Sequence, residues 1–85
     1  MRSHPLDFDE FCDALARELD LPAIATNGRD DTRLVDDLAF DSLLTFEMLL
    51  VVEASAGVML PDALVGQLIT LGDVYDVYRQ RVTQG

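Results

Sequence analysis

Asp41-Ser42 is the residue pair in this chain best placed to do chemistry. Ser42 follows a polar loop and stands where an apolar helical pattern begins. The N-terminus of a helix offers unpaired backbone N–H groups and the positive end of the dipole. That suits a bound or covalently attached phosphate. The alternative for a lone serine at such a place is an ordinary N-cap. Nucleophilic hydrolysis is the other chemistry a serine suggests, and it needs a general base and an oxyanion hole. The single histidine, His4, lies at the extreme N-terminal end, and there is no G-x-S-x-G elbow. A calcium loop is excluded by spacing, because Asp30, Asp31, Asp36, Asp37 and Asp41 do not follow the D-x-[DN]-x-[DN]-G order.

The elements that must position Ser42 are helical. Phe8, Phe11, Cys12, Leu15 and Leu19 recur at helical spacing. Asp7 and Glu10 form a capping box for this first helix, which spans about 7–20. Pro22 and Asn27-Gly28 read as turns. Residues 21–37 therefore read as a long loop, pinned to the core by Ile24, Leu34, Val35 and Leu38, with a helical turn near 33–38. The second long helix starts at Asp41-Ser42, runs to about Ala56 and stops at Gly57. Pro61-Asp62 opens a short helix to about Gln67. Thr70 and Asp73 form another capping box, after which Leu71, Val74, Tyr75, Tyr78 and Val82 carry a last helix. No stretch alternates as a strand. The fold class expected is all-α: a small antiparallel four-helix bundle of three long helices and one short one, with a long loop between the first two. One domain fills the chain, with its core at about 6–82.

A rotation of about 100° per residue sorts the second helix into two faces. Thr45, Met48, Leu49, Val52 and Ala56 share one, which turns to the core. Leu43, Phe46, Glu47, Leu50, Glu53 and Ala54 share the other, with Leu44 and Val51 at the boundary. The second face is an apolar stripe with acidic flanks, a plausible docking surface. Phe46 and Leu50 could equally pack beneath the long loop.

The 85 residues carry a formal charge of −10, with six arginines and no lysine. Nearly half the residues are hydrophobic, which sets the chain apart from disordered acidic tails. Phosphate backbones and anionic membranes call for clustered cations, so nucleic acid and membrane are not expected partners. A basic protein surface is the natural complement. Cys12 is alone, so no disulfide framework or metal-binding Cys pair is possible. No apolar leader or membrane-length run is present, and a cytoplasmic location is expected. No metal site is expected.

Leu38-Ala39-Phe40-Asp41-Ser42-Leu43 resembles the Asp-Ser-Leu attachment motif of acyl carrier proteins. Val35-Asp36-Asp37-Leu38 is similar to the family's approach to that motif. Glu47 and Glu53 match acidic positions of its second helix. Leu60-Pro61-Asp62 falls where its third helix begins, and Thr70-Leu71-Gly72-Asp73-Val74 resembles the start of its fourth. The resemblance covers most of the chain.

It implies that a phosphopantetheinyl transferase moves 4′-phosphopantetheine from coenzyme A onto Ser42. The arm then carries an acyl group as a thioester, and the protein makes no bond itself. Asp41 would help the transferase recognise the serine. Partner enzymes would contact Phe40, Leu43, Phe46, Glu47, Leu50 and Glu53. Met48, Leu49, Leu60, Val65 and Leu68 would line a space for cargo, or simply form core. The expected partners are the transferase, an acyl-loading enzyme (acyl-AMP ligase or acyltransferase) and a downstream condensing or acyl-transfer enzyme, with the carrier a free-standing monomer. Leu44 and Ala54 stand where fatty-acid-synthesis members are commonly acidic. The usual glycine before the motif is Ala39, and Phe40 replaces a small or polar residue. These departures fit a dedicated polyketide, lipopeptide or other lipid pathway. The competing reading is an unmodified acidic interaction module that uses the same Phe46/Leu50 face.

Overall fold

The computed structural model describes residues 6–57 and 59–84, without the side chains of 25–27, 62, 65, 83 and 84. His4 therefore lies outside the described residues. The described chain is all-helical: α1 (Phe8–Leu19), α2 (Pro22–Asn27), α3 (Ser42–Ala56), a 3₁₀ helix (Asp62–Gln67) and α4 (Leu71–Gln84). Among the described residues the only β-type pairing is an isolated bridge between Arg33 and Thr70. No helix among them is long and apolar enough to cross a membrane.

α1 forms where its caps and periodicity place it. The Asp7 carboxylate accepts from Glu10 N at 2.8 Å, and the Glu10 carboxylate accepts from Asp7 N at 3.0 Å. Two amide donors near the helix start are thereby satisfied. Asp20 closes the helix in the left-handed conformation, φ 56°, with its N–H directed to the carbonyls of Ala16 and Arg17. The inward face buries Phe11, Cys12, Leu15 and Ala16. The Phe11 ring lies 4.8 Å from that of Tyr78, and Phe8 meets Tyr75 edge-on at 5.4 Å. Tyr78 Oη accepts from Leu6 N, while Tyr75 Oη donates to Leu6 O. α4 thus holds the start of α1 by rings and by backbone.

The connection after α1 differs from the long loop expected. Pro22 is not a turn but the first residue of α2, where its missing N–H costs nothing and its fixed φ suits a helix. Ile24 fastens this short helix by full burial. The following segment is ordered by the start of α4. Leu34 N donates to Ile69 O, Leu71 N to Thr32 O and Gly72 N to Asp30 O, each at 2.9 Å. The last two occupy amides of the first turn of α4, which have no partner within the helix. Gly72 permits this approach: a Cβ there would stand 2.6 Å from Asp30 O. The expected helical turn is present, with Asp37 N and Leu38 N both donating to Arg33 O. Val35, expected to pin the loop, is 66% exposed, because Leu34 beside it takes the inward position.

α3 starts at Ser42, one residue after its cap, and ends at Gly57 in the left-handed region, φ 74°. The short helix that follows is 3₁₀, opened by Pro61. The Thr70/Asp73 capping box is formed in both directions, at 3.0 and 3.1 Å. α1 packs on α2 and α3, and α3 packs on α4 and the 3₁₀ helix.

Candidate functional site

Asp41, not Ser42, caps α3. The Asp41 carboxylate accepts from Leu44 N at 2.8 Å. Its carbonyl accepts from Thr45 N at 3.0 Å and from the Thr45 hydroxyl at 2.8 Å. Ser42 is the first helical residue, and its side chain is exposed. The capping role open to a serine at this place is therefore taken by its neighbour. The Ser42 hydroxyl is left at the positive end of a 15-residue helix, with no acid in the first turn. An oxygen there can receive an anionic group without losing a structural hydrogen bond.

The chain reaches Asp41 through a strained step. Ala39 has φ 58°, the left-handed region that a side chain disfavours. Its N–H donates to Val35 O, and Phe40 N donates to Leu34 O. This reversal turns the Phe40 ring inward. Phe40 was expected on the partner-facing surface, but it is 4% exposed and belongs to the core. It fixes the loop that delivers Asp41 and Ser42, and offers little surface for contact.

The two faces of α3 separate as the rotation predicted. Thr45, Met48, Leu49 and Val52 are buried. Leu43, Phe46 and Leu50 are 68%, 45% and 63% exposed. They do not pack beneath the loop. Glu47 is exposed on the same outer side. Glu53 is half-buried, and its carboxylate accepts from Leu60 N at 2.7 Å. Its first task is thus to hold the chain that leads into the 3₁₀ helix. Asp36 and Asp37 are similarly occupied: Arg33 pairs with Asp36 at 3.2 Å, and Arg33 N donates to the Asp37 carboxylate.

Of the cargo-pocket candidates, Met48, Leu49, Leu60 and Leu68 all belong to the one core cluster, and none is more than 8% exposed. The Val65 side chain lies outside the described residues. The four placed side chains line closed core between α3 and the 3₁₀ region, not an open chamber.

Met59 escaped the sequence reading. It is 86% exposed and lines a shallow groove of about 390 Å³ with Leu50, Glu53, Ala54 and Gly57. Helical periodicity says nothing of a residue in a connection, so its only signal was a large apolar side chain between Gly57 and Pro61. Two other clefts, of about 360 and 520 Å³, contain none of the sequence-derived site residues.

The lone thiol is removed from chemistry. Cys12 is buried in α1, and its pKa is raised from 9.0 to about 11, by burial first and then by Asp9 and Asp13. Thiolate is the reactive form, so Cys12 is inert near neutral pH. Among the described residues no group of three or more metal-ligating side chains is gathered.

No protein-family model matches the chain, and no curated protein matches it significantly.

Proposed function

We propose that the chain is an acyl carrier, modified on Ser42 by 4′-phosphopantetheine. The observation that carries this reading is the division of labour at the start of α3. Asp41 caps the helix, and the adjacent Ser42 hydroxyl is exposed at the positive helix end. The Asp-Ser-Leu motif and its downstream spacing support the same reading, as does the all-helical fold. We read the helices as the antiparallel four-helix bundle of such carriers, with α2 as an insertion in the connection between the first two long helices.

In this reading a phosphopantetheinyl transferase joins the Ser42 oxygen to the phosphate of the arm and releases the nucleotide part of coenzyme A. The dipole of α3 favours the added negative charge. An acyl-AMP ligase or acyltransferase then loads the terminal thiol, and a condensing or acyl-transfer enzyme takes the cargo. The carrier supplies position and recognition rather than bond chemistry. The pathway is a dedicated polyketide, lipopeptide or lipid route, because α3 lacks the acids of housekeeping carriers at Leu44 and Ala54.

Intact-mass measurement after incubation with coenzyme A and a broad-specificity transferase tests this directly. The expected result is one phosphopantetheine added to wild type and none to Ser42→Ala. No gain on folded wild type would leave the unmodified interaction module standing. A gain that persists in Ser42→Ala would move the site.

A further inference from the structure

Ser42 is delivered by the strap of residues 30–40, and the bonds that hold this strap lead to the start of α4. Leu34 is at its centre. The Leu34 side chain is 1% exposed, its N–H donates to Ile69 O, and its carbonyl accepts from Phe40 N. Phe40 stands two residues before Ser42. Leu71 N and Gly72 N extend the pairing by donating to Thr32 O and Asp30 O. The strap is also braced locally, because Arg29 N donates to the Thr32 hydroxyl and Arg33 N to the Asp37 carboxylate.

The other side of the pairing, residues 69–72, is set by one side chain on α4. A single oxygen of the Asp73 carboxylate accepts from Thr70 N at 3.0 Å and from Ile69 N at 2.9 Å. The Thr70 hydroxyl accepts from Asp73 N in return. A capping box needs only the bond to Thr70 N. Ile69 lies outside the helix, so the second bond fixes the residue whose carbonyl holds Leu34. An unbroken series of hydrogen bonds and short chain segments thus runs from Asp73 through Ile69, Leu34 and Phe40 to Asp41-Ser42. The capping box of α1, Asp7 with Glu10, lies outside this series.

We propose that Asp73 is a positioning residue for Ser42: it fixes the 69–72 turn, the turn fixes the strap, and the strap presents the serine. The proposal rests on the carrier reading and adds a residue on α4 that the Asp-Ser-Leu motif does not contain. A modifying enzyme that accepts Ser42 only from the fastened strap binds more weakly as the fastened fraction falls. Loss of Asp73 therefore acts on KM. The transfer step after binding is unchanged, so kcat stays near wild type.

The test pairs Asp73→Ala with Asp7→Ala, because each removes a carboxylate that caps a helix and each should lower the urea midpoint comparably. Amide hydrogen exchange at Leu34 and Phe40 should quicken about tenfold in Asp73→Ala and stay at wild-type rates in Asp7→Ala. KM for phosphopantetheine addition by a broad-specificity transferase should rise about threefold or more in Asp73→Ala alone. Asp73→Asn keeps an acceptor oxygen and should restore both readouts to within about twofold of wild type. Gly72→Ala leaves the carboxylate in place but sets a Cβ 2.6 Å from Asp30 O, so it should repeat the effect of Asp73→Ala. Equal losses of modification in Asp73→Ala and Asp7→Ala would overturn the proposal, since stability alone would account for them. Faster exchange with an unchanged KM would overturn it too, because the strap would then not govern Ser42. Either result leaves the carrier reading intact, provided wild type is modified. Absence of any modification of wild type would remove the carrier reading and this role of Asp73 together.

Discussion

α1 and α3 are both long helices of this small domain, and they present opposite outer faces. α1 buries Phe11, Cys12, Leu15 and Ala16 and turns Asp9, Glu10, Asp13, Arg17 and Glu18 to solvent. Its sequence has one apolar side and one charged side, so burial on folding satisfies it. α3 buries Thr45, Met48, Leu49 and Val52 and still exposes Leu43, Phe46 and Leu50. A helix that is apolar all round is normally enclosed. Here the fold encloses only half of it. α1 is thus completed by its own chain, whereas α3 keeps an apolar outer face uncovered among the described residues. The charge map agrees. Residues 1–41 hold eleven acids and four arginines, net −7, whereas residues 42–85 carry net −3. The acidity lies mainly before the serine, and the exposed apolar stripe lies after it.

The contrast breaks most readily at single leucines. Leu15 is fully buried on α1, and Val52 is fully buried on the inner side of α3. Leu15→Ala should cost about 2–5 kcal/mol of stability by urea denaturation, through lost burial and a residual cavity. In a domain this small, that can approach the whole stability. Val52→Ala should also destabilise clearly, by a smaller amount because fewer atoms are removed. Leu50→Ala should stay within about 0.5 kcal/mol of wild type. A loss at Leu50 comparable with that at Leu15 would show that the outer stripe serves folding, and the distinction between the helices would fall.

Much of this contrast was legible beforehand, and the exceptions have physical causes. Capping boxes are local, so Asp7/Glu10 and Thr70/Asp73 could be read from spacing and are formed. The two faces of α3 followed from rotation alone. α2 was missed because six residues give too little periodicity, and because proline signals a turn and a first helical residue equally well. Phe40 was misplaced because nothing in the order Ala39-Phe40-Asp41 reveals that Ala39 takes a positive φ and redirects the next side chain. Glu53 was placed on the outer face, but its bond to Leu60 N depends on a connection whose path no helical pattern encodes. Local signals were readable, and long-range contacts were not.

Cys12 sharpens the comparison at intermediate scale, because it sets the closed chemistry of α1 against the open chemistry of α3. Burial, then Asp9 and Asp13, raises its thiol from 9.0 to about 11. A raised folded-state pKa means that the unfolded chain loses this proton first as pH rises. The corresponding stability is complete below about pH 9 and is lost as pH climbs toward 11. The expected outcome is a falling urea midpoint across that window, with a shallower fall in Cys12→Ala. Alkylation at pH 8 should leave the folded, unmodified protein unlabelled and label it fully in denaturant. Rapid labelling of the folded protein would mean that α1 opens.

The smallest effect lies at the joint between loop and site. Ala39 bears the left-handed backbone that sets both the burial of Phe40 and the position of Asp41. A side chain there costs about 1–2 kcal/mol relative to glycine's freedom, and glycine loses about 0.5–1 kcal/mol of that gain to chain entropy. Ala39→Gly should therefore stabilise the protein by roughly 0.5 kcal/mol, read as a small rise in urea midpoint. If Ser42 is modified as proposed, its modification should proceed at the wild-type rate, because the same backbone is reached with less strain. Destabilisation together with slower modification would mean that the alanine methyl contributes packing or restricts the loop before Asp41. The rigidity of the approach to Ser42 would then belong to the site, and α3 would depend on its preceding loop far more than α1 depends on its own.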